Sequence, residues 1–309
     1  MNRSGVLAVA AGVLGAVLLV AAARGSMLGL AFGVLLSPLP LAMAVLSLGS
    51  AYLPVAVMGG AITAAVLTGT FAFAVVYLIL DAAPVVLLAR MMRRQPVAGG
   101  TIGQTIAVLA IVAMVLMVVA LAAMPLDAEG VEAFVKMRLG EIIAAASEAG
   151  RATMPNAPET IAAIASFVPG AAAWDWCLRG IVSAALAQTI LTRLGEAASP
   201  TPPCRTVAVP SWYIAVFWAT AAVGWLAAGD VKYVAMNAAA VLCLPLLAQG
   251  LAVVHSGLAR FDHRTMWLVT FYVLALLMAA FAIVVLVTLG VVEHFLKLRA
   301  RMATPAQGG

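Results

Sequence analysis

The chain has 309 residues, of which 65% are hydrophobic and only 9% are charged, and its mean hydropathy is +1.13. Soluble domains carry about 25% charged residues, so the composition excludes a soluble globular protein and predicts a polytopic membrane protein. The net charge of +5 is carried by short basic clusters between apolar runs, which is typical of a topology signal and not of nucleic-acid binding.

The N-terminal part, residues 5–94, predicts four membrane segments. The first run, Gly5 to Ala23, is long enough to cross a hydrocarbon core of about 30 Å. We expect it to be retained as a helix; the alternative is a signal peptide cleaved after Ala23. The second segment is interrupted at residues 37–40 (Ser-Pro-Leu-Pro), because two prolines this close break or kink a helix. The fourth segment is followed by a basic cluster that the positive-inside rule places in the cytoplasm, namely Arg90, Arg93 and Arg94.

Small residues form ridges at four-residue spacing in the first two segments. Ala8, Gly12 and Ala16 form one, and Gly29 and Gly33 form the other. Such ridges let membrane helices approach closely, but a chain so rich in Ala and Gly also produces them by composition alone. Both interpretations stay open.

The middle part, residues 95–192, predicts two spans that flank an acidic extracytoplasmic loop, residues 126–160. Apolar residues between Val131 and Ala146 recur at helical spacing, which predicts an amphipathic helix on the membrane surface. This helix is either a lid over a cavity or a plain interfacial linker.

The C-terminal part predicts the remaining spans within residues 211–292 and a basic tail at residues 293–309. The result is an all-α transmembrane bundle of about nine membrane segments, with one amphipathic interfacial helix, in a single domain (1–309). Nine spans with the N terminus inside leave the basic tail outside, against the positive-inside rule. The block Thr265 to Gly290 is too short for two spans of about 20 residues each. The side of the C terminus and the number of full spans, between eight and ten, therefore stay open.

An acid and a base lie four residues apart in the sequence Trp174-Asp175-Trp176-Cys177-Leu178-Arg179. Asp175 and Arg179 share one helix face and can pair. Because Pro169-Gly170 predicts a helix start just before them, we expect the pair near the outer surface, with both tryptophans in an aromatic belt. The pair is either functional or a structural bridge.

Three further polar residues fall inside predicted spans and complete the set of candidate ligand or coupling residues. Asp81 is either a ligand carboxylate or a helix-break residue before Pro84. Asn237 and Gln249 are candidates for binding, although amide side chains within spans most often bridge helices.

No motif predicts catalysis, a cofactor or a metal site. The sequence contains no His-Glu-x-x-His, no Gly-x-Ser-x-Gly and no P-loop. The three cysteines (Cys177, Cys204 and Cys243) lack metal-ligand spacing. We therefore expect a protein without enzymatic activity, without a cofactor and without a nucleic-acid partner.

Four short motifs resemble one known family. They are Pro38-Leu39-Pro40-Leu41, the Gly-rich third and fourth spans with their basic end, Asn237 with Gln249-Gly250-Leu251-Ala252, and Leu289-Gly290 before a basic tail. Over residues 5–301 the chain resembles the uncharacterised bacterial YybS-like membrane proteins (domain of unknown function 2232), with Glu293 where an Asp is expected. The resemblance implies a distant likeness to the S components of energy-coupling-factor transporters, which capture vitamins or metal cations. It implies a ligand cavity and no catalytic residues.

Two functions follow from these predictions. The first is small-molecule binding or a transport-related role, and the alternative is a membrane scaffold or interaction protein without ligand or catalysis. The expected partners are the lipid bilayer and either a small-molecule ligand or another membrane protein. The expected location is the bacterial cytoplasmic (inner) membrane, crossed several times. Convergence of the five polar candidates on one cavity favours the first function, and scattered, locally paired positions favour the second.

Overall fold

A computed structural model of the chain describes residues 3–25, 33–93, 99–124, 130–148, 156–197 and 203–303. Every regular element in these ranges is helical, in agreement with the predicted all-α class. The predicted features at Gly29, Arg94 and parts of the acidic loop lie outside the described residues. The helices are α1 (Arg3–Ala23), α2 (Val34–Leu36), α3 (Leu39–Leu48), α4 (Leu53–Thr68), α5 (Phe71–Tyr77), α6 (Ala83–Arg93), α7 (Gly99–Ala122), α8 (Gly130–Glu148), α9 (Ala157–Ala165), α10 (Val168–Leu194), α11 (Ser211–Leu226), α12 (Gly229–Leu258), α13 (Arg264–Leu277), α14 (Ala279–Leu296) and α15 (Leu298–Ala303).

Six helices in the described part of the chain are long and apolar enough to cross a membrane. The bent pair α9 and α10, with 63° between its two arms, makes a seventh if it is one span. The protein is therefore a multi-pass membrane protein. The predicted number of about nine segments is approximate, because α3 and α11 are apolar but have only 10 and 16 residues. The six are Arg3–Ala23, Ser50–Thr68, Phe71–Met91, Ile102–Ala122, Gly229–Leu258 and Ala279–Leu296.

The last apolar block forms two helices where one segment was predicted. The break lies at Met278, whose backbone angles (φ −117°, ψ 42°) are not helical. The block contains neither proline nor glycine before Gly290, so the sequence carries no break signal there. As a result α13 has 14 residues, none of them buried, and α14 continues to Leu296.

The described residues divide into two compact units, and unit 1 comprises residues 1–95, 144–154 and 174–201. Its core contains the close crossing of α1 and α4. Gly12 is needed there, because a Cβ at this position would strike the Ala56 carbonyl. Ala8 and Ala16 beside it are completely buried. The predicted ridge in α1 is therefore a packing surface.

Unit 2 comprises residues 96–143, 155–173 and 202–309 and is built around α12, which packs against α7, α11 and α14. The α12–α14 crossing depends on two glycines. A Cβ on Gly250 would strike the Leu286 carbonyl, and a Cβ on Gly290 would strike the Leu246 carbonyl. The two backbones are therefore in direct contact, as small residues permit in membrane helices.

The predicted amphipathic helix corresponds to α8. It buries Val131 and Val135, one turn apart, and the Val131 N–H donates to Asp230 Oδ1 at 2.9 Å. Ile142, which was predicted on the same apolar face, is instead 66% exposed.

Candidate functional site

Asp81 lies in a wide, π-helical turn, Leu78–Ala82, which joins α5 to α6 within one span. Pro84 explains the wide turn, because its ring pushes against the carbonyl of Leu80 and it has no N–H to donate. The Asp81 side chain is completely buried. A carboxylic acid inside a membrane span is rare and usually functional, so this turn is the starting point of the candidate site.

The break in the second predicted segment supplies a hydrogen bond to Asp81. Ser37 lies in the turn between α2 and α3, directly before Pro38, and is completely buried. Its Oγ donates to Asp81 Oδ1 at 3.0 Å. Sequence analysis identified the break but not this contact, because 44 residues separate the partners and no local pattern joins them.

A guanidinium group from α10 lies beside the same carboxyl group. Arg179 is 8% exposed, and its Nη1 is 3.9 Å from Asp81 Oδ1, which is beyond hydrogen-bond distance. Its Nε donates to Asp175 Oδ2 at 2.7 Å. The Asp175 side chain is 49% exposed. The i,i+4 pair therefore forms as its spacing allows, with a buried base and an accessible acid.

Trp176 does not lie in an aromatic belt as predicted. It is 6% exposed, and its Nε1 donates to the Ile79 carbonyl at 2.7 Å. In the wide turn the Ala83 N–H donates to the Leu78 carbonyl, five residues back. By the same pattern the Ile79 carbonyl would accept from residue 84, but Pro84 has no N–H. Trp176 thus satisfies a carbonyl that Pro84 leaves without a donor, and it attaches α10 to the turn.

Three buried polar atoms around Asp81 have no hydrogen-bond partner among the described residues: Tyr77 Oη, Asp81 Oδ2 and Arg179 Nη1. Tyr77 lies one turn before Asp81, and its ring packs near Gly15 and Gly60. An unpaired buried polar group costs about 1–3 kcal/mol. We call the five residues Ser37, Tyr77, Asp81, Asp175 and Arg179 the Asp81 centre. Its three atoms without a hydrogen-bond partner are a phenol oxygen, a carboxyl oxygen and a guanidinium nitrogen.

Asn237 stabilises the break between α9 and α10. Its Oδ1 accepts from the Gly170 N–H at 2.8 Å, and its Nδ2 donates to the Ser166 and Tyr233 carbonyls at 2.9 and 3.0 Å. The Tyr233 hydroxyl donates to the Ala165 carbonyl at 2.6 Å. These side chains of α12 satisfy backbone groups that the break leaves free, so the geometry indicates a structural role.

Gln249 joins α12 to two neighbouring segments. Its Oε1 accepts from the Val209 N–H at 2.5 Å, and its Nε2 donates to the Gly290 carbonyl at 2.7 Å. It is 2% exposed. Twelve residues, or about 18 Å of helix, separate it from Asn237 on the same helix, so the two amides do not share a site.

The structure thus brings three of the five predicted candidates together. Asp81, Asp175 and Arg179 meet in unit 1, whereas Asn237 and Gln249 lie in unit 2 and each bonds locally. Sequence analysis missed Ser37 and Tyr77. For Tyr77 the signal was available, since it precedes Asp81 by four residues and therefore lies near its helix face.

Other features of the described residues do not add to the site. They include no group of three or more His, Cys, Asp or Glu side chains that could hold a metal ion. Unit 2 has an open groove of about 520 Å³ between α7, α11 and α12, lined mainly by apolar side chains and containing none of the five candidates.

Comparison with known proteins gives one match. The model of a family described as "Predicted membrane protein (DUF2232)" matches residues 13–293. No curated protein and no solved structure matches the chain.

Proposed function

The chain belongs to the DUF2232 family of predicted membrane proteins; from the geometry of the Asp81 centre we propose that it is a transport-related protein that binds a small polar solute there. The proposal depends on three buried atoms within apolar helices that lack a hydrogen-bond partner in the described ranges, namely Tyr77 Oη, Asp81 Oδ2 and Arg179 Nη1. Charged groups in such positions are costly and mark solute or ion pathways. Transporter sites also commonly lie where membrane helices are interrupted.

The chemistry of the centre defines the solute class. Arg179 offers a donor, Asp81 an acceptor, and the Tyr77 hydroxyl both. A hydroxyl, amide or carboxyl group of a small solute matches this set, and such groups occur in the vitamins that the family resemblance implied. Asp175, half exposed, provides the accessible end of the centre. The proposal includes binding and movement of a solute in the bacterial cytoplasmic membrane, and no bond-making step.

Uptake measurements test the proposal. The gene is deleted, a panel of small polar solutes is offered, and the strain is complemented with wild type, Asp81→Asn or Thr63→Val. Thr63 is the matched control, because its hydroxyl donates to the Gly59 carbonyl within its own helix at 2.8 Å. We expect wild type and Thr63→Val to restore uptake of one solute. Asp81→Asn should weaken the binding of this solute by about tenfold, as expected for the loss of one hydrogen bond between Asp81 and the solute.

Two results would contradict the proposal. One is uptake that is unchanged by deletion across the whole panel. The other is full restoration by Asp81→Asn at wild-type abundance, since the solute would then bind elsewhere.

The second candidate function is a membrane scaffold, and two observations favour it. Asn237 and Gln249 use their amides to join helix segments, and none of the 14 residues of α13 is buried within the chain. If α13 binds another membrane protein, purification in mild detergent recovers a stoichiometric partner. A monomer without a partner, together with solute binding, would reject the scaffold.

A further inference from the structure

We propose that the Asp81 centre also binds a proton, and that Arg179 moves from Asp175 to Asp81 when this proton leaves. Coupling of the proton to solute movement rests on the proposed function; proton binding itself rests on the geometry of the centre.

The charge of the centre is the first argument. Two carboxylates and one guanidinium carry a net charge of −1 when all three are ionised. A net charge among apolar helices is costly. One proton makes the centre neutral, and Asp81 is the acid that needs it, because Asp175 is accessible and already has a 2.7 Å bond to Arg179.

The position of Arg179 argues against a metal cation at the same place. The guanidinium Nη1 lies 3.9 Å from Asp81 Oδ1, and Oδ1 already accepts from Ser37. A metal ion bound to this carboxylate would lie next to the permanently charged guanidinium group of Arg179, and the repulsion between two cations is strong where the surroundings are apolar. A proton occupies the carboxyl oxygen without this penalty, since it forms part of a neutral group.

The distances describe one of two states. In the structure Arg179 is bonded to Asp175, while Asp81 Oδ2 and Arg179 Nη1 have no hydrogen-bond partner among the described residues. This is the arrangement expected when Asp81 is a neutral acid. Once its proton is lost, the carboxylate attracts Nη1, and a shift of about 1 Å brings the 3.9 Å gap to the length of a charge-assisted hydrogen bond.

The groups that face Asp81 are few. Tyr77 lies one turn before it in α5, and Asp175 and Arg179 face it from α10. Ser37 faces it from the α2–α3 turn, and the α4 sequence contains no titratable side chain. The nearest charged residue of α6 is Arg90, about 14 Å further along the helix. The proton released by Asp81 leaves past Asp175, the half-exposed side chain of the centre.

Infrared difference spectroscopy of the full chain in lipid nanodiscs tests the proposal. A protonated carboxyl group has a C=O stretching band that shifts in D₂O, and we follow this band through a pH titration. We expect a band that disappears with rising pH, is absent in Asp81→Asn and is unchanged in the control Thr63→Val. Arg179→Gln should move its midpoint to higher pH, because the positive neighbour that favours the carboxylate is gone. Asp175→Asn should move it to lower pH, because Arg179 is then free to pair with Asp81.

Several outcomes would overturn the proposal. They are the absence of an Asp81-dependent band, its persistence in Asp81→Asn, or a midpoint that moves in neither Arg179→Gln nor Asp175→Asn. If Asp81→Asn does not fold, Ser37→Ala serves instead; it removes a donor to the carboxylate and should raise the midpoint, and an unchanged midpoint counts against the proposal. The two proposals fail separately, because solute uptake without the band rejects only the proton site, and the band without uptake rejects only the solute.

Discussion

At the scale of single residues, the polar side chains of this membrane protein fall into two classes. Asn237 and Gln249 have their amide groups engaged in hydrogen bonds, so their geometry is that of structural links. Tyr77, Asp81 and Arg179 are buried, yet each has an atom without a hydrogen-bond partner in the described part of the chain. Missing hydrogen bonds therefore distinguish the residues of the candidate site from the structural polar residues better than residue type does.

Replacement of Asn237 tests whether its amide group links helix segments. Asn237→Ala removes three hydrogen bonds and leaves the Gly170 N–H without its acceptor, so we expect the free energy of unfolding to fall by about 1–3 kcal/mol. Ser256→Ala is the control on the same helix, because its hydroxyl donates to the Ala252 carbonyl one turn back. Reversible unfolding in mixed micelles measures both variants. Equal stability of the two would contradict the assigned role.

The sequence predicts local contacts of the site but not distant ones. Four-residue spacing predicts that Asp175 and Arg179 can pair, and they do. No such pattern relates Ser37 or Arg179 to Asp81, because these contacts join separate helices. A single sequence therefore indicates which residues are unusual in a membrane, and the tertiary structure decides which of them meet.

At the scale of elements, the α12–α14 crossing is sensitive to the addition of a single methyl group. A Cβ at Gly250 meets the Leu286 backbone, which cannot move as a flexible side chain can. We expect Gly250→Ala to lower the free energy of unfolding by about 1–3 kcal/mol through overpacking.

The control lies one heptad further along the same helix. A Cβ at Gly257 meets nothing within 4 Å. Because Ala is the better helix former, we expect Gly257→Ala to leave stability unchanged or to raise it by up to about 1 kcal/mol. The same micelle unfolding assay compares the two, and a Gly250→Ala variant as stable as Gly257→Ala would show that this crossing is looser than described.

Helix breaks illustrate the limits of sequence patterns at this scale. Pro169-Gly170 correctly predicted a division of the long apolar stretch, and α9 ends shortly before it. Pro84 was also one possible signal for a helix break. The structure shows instead that the helix widens into a π-helical turn before Pro84 and then continues. At Met278 a break occurs where the sequence has neither proline nor glycine, so no local pattern marks it.

At the scale of the whole molecule, topology is the property most open to test. The positive-inside rule predicts that Arg90, Arg193 and Arg205 lie on the cytoplasmic side. Cys204 lies next to Arg205 and is exposed, whereas Cys177 is buried. A membrane-impermeant maleimide should therefore label the wild-type protein in inside-out vesicles and not in intact right-side-out cells.

Cys204→Ser is the control for this experiment, since it should abolish the label in the inside-out vesicles. Labelling of Cys204 from outside would reverse the orientation derived from the arginine clusters. It would also put the acidic segment around α8 in the cytoplasm.

Composition alone predicts the all-helical, multi-pass class, because 65% hydrophobic and 9% charged residues leave no other solution for a chain of this length. The exact number of spans is less predictable. Hydropathy identifies apolar stretches, but only the structure shows that α3, α11 and α13 are shorter than a full span and that α9 and α10 are bent against each other.

The wide turn at Leu78–Ala82 has a consequence for the helix as a whole. A π-helical turn accommodates one residue more than the regular helix needs. Deletion of one residue there would leave a span only about 1.5 Å shorter, but it would rotate everything on one side of the turn by about 100° relative to the other. Tyr77 and the residues after the turn would then face different neighbours. The one extra residue in this turn therefore sets the rotation of the helix at which the Asp81 carboxyl group faces Arg179.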